Sequence, residues 1–315
     1  MIKTGFTIVL ISICAVVLLA SCSVHIGGGD NTVKEKSLDI KKQTDIGAQS
    51  SPSPEATAKP SLIVPPGQNI NARFKVPEGF ERMEAAEGSF GHYLRNLPLK
   101  LHGSKVLYYD GGEKLSDVYE AVIDMDIGDR DLQQCADAVM RLRAEYLYSQ
   151  GQYNGVHFNF TNGFNAKYSK WMEGYRIAFS GNNCSWVKRT GYSRDHESFR
   201  RYLDIVFAYA GTLSLAKELK PVELEKIAIG DVFIKGGSPG HCVIVVDMAV
   251  NPSTGEKLFM LAQSYMPAQN IHVLKNSNDK TLSPWYPLEF GDTLNTPEWT
   301  FEKGELKRFE EQAGE

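Results

Sequence analysis

The chain has 315 residues, 42% hydrophobic and 23% charged, an ordinary globular mix that excludes collagen, a coiled coil and a polytopic membrane protein. Lys plus Arg number 34 against 38 Asp plus Glu, a formal charge of -4, and removing the first residues with Lys3 would make the remainder slightly more acidic. That balance argues against nucleic acid as a main partner.

Gly5 to Leu19 (GFTIVLISICAVVLL) is an apolar run too short to span a bilayer and of the length of a signal-peptide core. It ends in Leu19-Ala20-Ser21-Cys22, which resembles the lipobox of bacterial lipoproteins, in which the cysteine is acylated and becomes the mature N-terminus. The expected organisation is a lipoprotein signal peptide over 1–21 and a lipidated flexible tether over 22–69. The mature protein is then anchored through Cys22 to a membrane of the bacterial cell envelope, on its extracytoplasmic side, and spans nothing. The tether reading rests on Gly27-Gly28-Gly29, the run Gln49 to Pro54, and Pro60, Pro65 and Pro66, with few aromatics. Such a segment cannot bury enough apolar surface to offset its chain entropy.

Residues 70–315 hold all four tryptophans and read as a single α+β domain. Strands are predicted at Phe74–Val76, Lys105–Tyr109 and Tyr119–Ile127. A helix follows from Asp131 to about Gln150, with Leu132, Cys135, Ala136, Val139, Leu142 and Tyr146 on an apolar stripe. Asp137, Arg141 and Glu145, spaced i, i+4, i+8, predict a solvated salt-bridge row on the opposite face. A second helix is predicted over Ser198–Leu219. Four strands close the domain: Gly230–Ile234, His241–Asp247, Leu258–Ser264 and Ile271–Leu274. The run VIVVD lacks polar alternation, so the second of these is central and covered on both faces.

Outside the leader and Cys22, three cysteines remain: Cys135, Cys184 and Cys242. Cys135 lies in the first one or two turns of its helix, where aligned amide dipoles favour the thiolate. If a disulfide forms, it joins Cys184 to Cys242 and leaves Cys135 free, because a bridged nucleophile is inert.

A nucleophilic thiol needs a base within hydrogen-bond reach. His25 lies in the tether, His92 and His102 in polar loop-like contexts, and His157 and His272 on strands among apolar neighbours. His241 opens a buried strand directly after Gly236-Gly237-Ser238-Pro239-Gly240, at a sheet end beside a loop with room for a ligand. Cys242 points to the other strand face. Asp247, six residues on, is about 20 Å away. If Asn251 opposes Glu256, Val243 opposes Ser264 and Ser264 shares the face of His241; a one-residue shift or bulge substitutes Gln263. Gln263 has the longer reach for a ring N–H, and the register leaves both open.

The strings DLQQCADAVMRLRAEYLY, GDVFIKGGSPGHCVIVVD and LAQSYMPAQNIHVLKN resemble an uncharacterised family of bacterial lipoproteins without an established activity. More distantly, the order of cysteine on a helix, Gly-His opening an apolar strand, and a polar residue on the next strand is similar to papain-like hydrolases of the bacterial cell wall, of the NlpC/P60 and CHAP type. That resemblance implies an antiparallel sheet with a packed, nucleophile-bearing helix, plus N-terminal and central insertions. It also implies Cys135 as nucleophile, His241 as base and Gln263 as the residue that orients the imidazole.

Two functions follow as expectations: a lipid-anchored cysteine hydrolase of amide or peptide bonds in cell-wall peptide, or a non-catalytic envelope module binding glycan or peptide on the same scaffold. In the second, Trp171, Trp186, Trp285 and Trp299 contribute to the binding surface. No HExxH, CxxC, EF-hand, P-loop or GxGxxG string occurs, so neither metal nor nucleotide cofactor is expected.

Overall fold

His241–Ala249 is an unbroken buried stretch, which a strand can supply only when both of its faces are covered. The computed structural model describes residues 61–310; Cys22, the leader and most of the expected tether lie outside the described residues. Nine strands form the main sheet: β1 (Glu81–Arg82), β2 (Tyr119–Val122), β3 (Lys220–Pro221), β4 (Val232–Lys235), β5 (His241–Val250), β6 (Lys257–Gln263), β7 (His272–Leu274), β8 (Trp285–Pro287) and β9 (Leu306–Arg308). The order is β2-β7-β6-β5-β4-β9-β3, with β1 added to β5 and β8 added to β6. Every pair is antiparallel. The four strands expected near the C-terminal end are all present. Four helices matter for the site: α1 (Phe90–Arg95), α2 (Cys135–Ser149), α3 (His196–Tyr209) and α4 (Thr212–Glu218). The architecture is mixed α+β.

The alternation of β5 divides the core. Cys242, Ile244 and Val246 join the cluster that holds Cys135, Ala136 and Val139 of α2. Val243 and Val245 pack on the opposite face with Phe233, Phe259 and Phe301. α2 is thus buried nearly all round, and the predicted solvated charge row is instead internal. Arg141 donates to Gln133 Oε1 at 2.7 Å, to the Asp126 carbonyl at 2.8 Å and to Glu145 at 2.9 Å. Asp137 turns back to cap the helix.

Several boundaries differ from the sequence expectation. α2 starts at Cys135, four residues later than Asp131. The Asp131 carboxylate accepts from the Ala268 N–H at 2.7 Å and from Gln134 Nε2 at 3.0 Å, so it ties the approach to the β6–β7 connection rather than capping at its own position. β2 stops at Val122. Phe74, Leu107 and Tyr108 make only isolated bridges, and His92 lies in α1. The helix expected over Ser198–Leu219 is broken at Ala210-Gly211, where the Tyr209 carbonyl accepts from both the N–H and the hydroxyl of Thr161, at 2.9 and 3.2 Å. That carbonyl is therefore committed to a neighbouring loop at the break.

Candidate active site

Gln134 has extended backbone angles, φ -89° and ψ -159°, so Cys135 is the first helical residue of α2, where backbone N–H groups have no partner within the helix. One contact caps this start and another ties the chain leading into it to the end of β6. The Gln134 N–H donates to Asp137 Oδ2 at 3.0 Å. Ser264 Oγ, just past the end of β6, is within hydrogen-bond distance of the Gln133 carbonyl (3.1 Å) and the Gln269 carbonyl (2.8 Å). Ser264, the alternative orienter in sequence, thus braces the chain leading into α2.

His241 enters β5 opposite Lys235. The loop before it is pinned by Thr212, whose hydroxyl donates to the Gly237 carbonyl at 3.2 Å. A Cβ on Gly240 would lie 2.4 Å from Thr212 Oγ1 and 2.5 Å from the Gly237 carbonyl, so glycine is required for this close approach. The register with β6 then decides the third residue. Met260 opposes Asp247, but Leu261 opposes Val245 and Ala262 opposes Ile244. This bulge shifts the pairing by one residue and brings Gln263 to the face of His241. The His241 Nε2–H donates to Gln263 Oε1 at 2.8 Å. With Nε2 committed, Nδ1 is the ring atom left for a partner, and the Cys135 thiol lies close enough to His241 to feel its charge. The structure thus brings Cys135, His241 and Gln263 together. Tyr265, Trp299 and Phe301 wall the imidazole at centroid distances of 4.7, 5.4 and 6.0 Å.

A residue outside the predicted set also reaches the sulfur. Cys242 points toward α2 and packs in the same core cluster as Cys135, beside its thiol. This contact is the largest cause holding the Cys135 thiol at about 5; the hydrogen bond and charge of His241 and the Ala136 N–H act in the same direction, against burial. Cys242 itself is pushed well up by burial and by the neighbouring Cys135, so it remains the S–H donor. The sequence signal was present in the parity of β5, since Cys242 falls on the face of Ile244 and Val246, but only the packing of α2 on that face makes it informative. Burial also raises the Asp137 carboxyl well above its ordinary range.

A cleft of about 370 Å³ opens beside Cys135 between the start of α2, the α3–α4 junction and the Gly237–Gly240 loop, with Met266 at its edge. His241 is 1% exposed against 8% for Cys135, so a ligand in this cleft meets the sulfur first. Cys184 lies elsewhere, on the hairpin Tyr175–Ser180/Asn183–Lys188. All three cysteines are free; the conditional Cys184–Cys242 pairing is not made, because Cys242 faces Cys135. Trp171 and Trp285 are buried in the core, which removes them from any binding surface, while Trp186 is half-buried. Among the described residues no group of three or more His, Cys, Asp or Glu side chains is placed to share a metal ion, and no helix is long and apolar enough to cross a membrane.

A family model described as a domain of unknown function (4846) matches residues 70–308. The chain belongs to this family. The match spans α1 through β9 and includes Cys135, Cys242, His241 and Gln263. No curated protein and no solved structure matches the chain.

Proposed function

We propose that the protein is a cysteine-dependent hydrolase of amide or peptide bonds, with Cys135 as nucleophile, His241 as base and Gln263 as the orienting residue, on a scaffold related to the papain-like NlpC/P60 type. The observation that carries this reading is the committed imidazole: with Nε2–H on Gln263, Nδ1 is left for the neighbouring thiol at the first position of α2. The Cys135 thiolate adds to the substrate carbonyl carbon, and backbone N–H groups at the helix start face the oxyanion. The imidazolium gives its Nδ1 proton to the leaving nitrogen as the C–N bond breaks, leaving a thioester. His241 then takes a proton from water, the hydroxide adds to the thioester carbon, and the thiolate departs as the acid product forms.

The substrate proposed is cell-wall peptide, reached by a protein anchored outside the cytoplasm through acylated Cys22. Intact mass of the membrane fraction tests the anchor; an unmodified Cys22 would remove it.

Iodoacetamide labelling read by peptide mass tests the chemistry, with the half-buried Cys184 as an internal reference. Cys135 should label at least about tenfold faster than Cys184 at pH 7, His241→Ala should slow it, and Cys135→Ser should abolish hydrolysis of cell-wall peptide fragments. Labelling of Cys135 no faster than that of Cys184 would leave the non-catalytic binding module as the reading.

A further inference from the structure

The Gln263 side chain is held by a second layer of groups that the dyad alone does not call for. His272 is fully buried, and burial pulls its imidazole down to about 3, so the ring is neutral. Its Nδ1 lies 2.8 Å from the Asn270 carbonyl, an acceptor only, so Nδ1 carries the proton and Nε2 presents a lone pair. That lone pair lies 3.3 Å from Gln263 Nε2. The other N–H of the same amide donates to Glu298 Oε2 at 2.6 Å. Glu298 Oε1 in turn accepts from the buried Lys114 ammonium at 2.6 Å. Both amide hydrogens of Gln263 are thus directed at acceptors, and its oxygen can point only at His241. Glu298 comes from the turn between Thr293–Asn295 and Thr300–Glu302, whose next residue, Trp299, covers the His241 ring.

We propose that Glu298 is a positioning residue of this site: with His272 it locks the Gln263 amide so that Oε1 accepts from His241 Nε2–H, which fixes the imidazole tautomer and leaves Nδ1 free to serve Cys135. A flipped amide would present N–H to Nε2, move the ring proton to Nδ1 and take away the base. The Lys114 ion pair holds the Glu298 carboxylate in place inside the fold. This inference rests on the Cys135–His241 reading given above.

The experiment uses the protein with its cysteines reduced, and reads two quantities. The first is the tautomer of neutral His241 from the ¹⁵N shifts of its ring nitrogens, read in a Cys135→Ser background where no thiolate holds the ring doubly protonated; the second is the iodoacetamide labelling rate of Cys135 against Cys184. With Glu298 in place the proton should sit on Nε2. Glu298→Ala should give a mixture of tautomers and slow Cys135 labelling about tenfold, a fraction of what a misdirected general base can cost. Glu298→Gln retains an acceptor oxygen and should restore the wild-type tautomer and most of the rate. If Glu298→Ala fails to fold because Lys114 is stranded, the pair Lys114→Met with Glu298→Ala removes both charges and is read in the same way. An unchanged tautomer and rate in the folded alanine variant, or a glutamine variant as impaired as the alanine one, would overturn the proposal. His241→Ala separates the two levels: if it leaves Cys135 labelling fast, the dyad reading fails, and the Glu298 lock is then judged on the His241 tautomer alone.

Discussion

At the residue scale, the decisive feature is the number of donors converging on one sulfur. A buried thiol is normally harder to ionise, yet Cys135 is held at about 5 because Cys242, His241 and the Ala136 N–H all favour the anion. The dependence on pH follows directly: above about 5 the thiolate predominates, and labelling should be near its plateau at pH 7, where an ordinary thiol is still rising. Cys242→Ala removes the largest of these contributions and should move the midpoint of the labelling profile upward, toward the ordinary thiol range. A midpoint that stays where it is would mean that His241 and the Ala136 N–H set the ionisation without Cys242. Cys242 was not recognised in sequence as part of the site because consecutive strand residues point apart, a rule that says nothing about which face α2 covers.

At the element scale, the β5–β6 bulge chooses between Gln263 and Ser264. Beside it sits Asp247, fully buried, with Arg82 Nε at 2.7 Å on one oxygen and Arg95 Nε at 2.6 Å on the other; its own Oδ1 also accepts from the Met248 N–H at 2.9 Å. Arg82 belongs to β1 and Arg95 to α1, so this carboxylate ties the bulged strand to the N-terminal segment. Asp247→Ala strands two guanidinium groups and should cost on the order of 3–5 kcal/mol in urea unfolding, as expected when one partner of a buried pair is removed. A loss below about 1 kcal/mol would show that water replaces the carboxylate. The turn Asn251–Glu256 gives the register only up to the bulge, so the choice was not available from turn spacing.

At the scale of the whole molecule, buried ionisable groups set how the fold responds to acid. The His272 imidazole is lowered from its ordinary 6.5 to about 3 by burial. Below 6.5 the unfolded chain takes up a proton that the native state refuses, so this group's contribution is complete above 6.5 and is lost as pH falls toward 3, at up to about 1.4 kcal/mol per pH unit. Cys135, depressed from 9 to about 5, acts in the same sense over its own window, with its contribution lost as pH falls through 5. Asp137 is raised, and its contribution runs oppositely, declining as pH rises through its native value. Comparing urea midpoints of wild type and His272→Asn across pH 3.5–7 isolates the first term. The wild-type curve should fall more steeply toward acid, and parallel curves would contradict a neutral, buried His272.

The sequence by itself determined what depends on local order and short-range periodicity. From it came the α+β class, the four C-terminal strands, the burial of VIVVD on both faces, and the selection of Cys135 and His241 from helix and strand starts. It also narrowed the third residue to two neighbours. What only the tertiary structure decided depends on contacts distant in the chain. The start of α2 at Cys135 follows from Asp131 bonding Ala268 across 137 residues. The bulge that brings forward Gln263, the packing that turns Cys242 onto Cys135, and the approach of Glu298 to Gln263 across 35 residues are of the same kind. The Asp137, Arg141 and Glu145 spacing reads identically on a solvated or a buried helix face, and only the layers packed around α2 make that face internal. Periodicity encodes which residues share a side; which element covers that side is set by the packing of the whole chain.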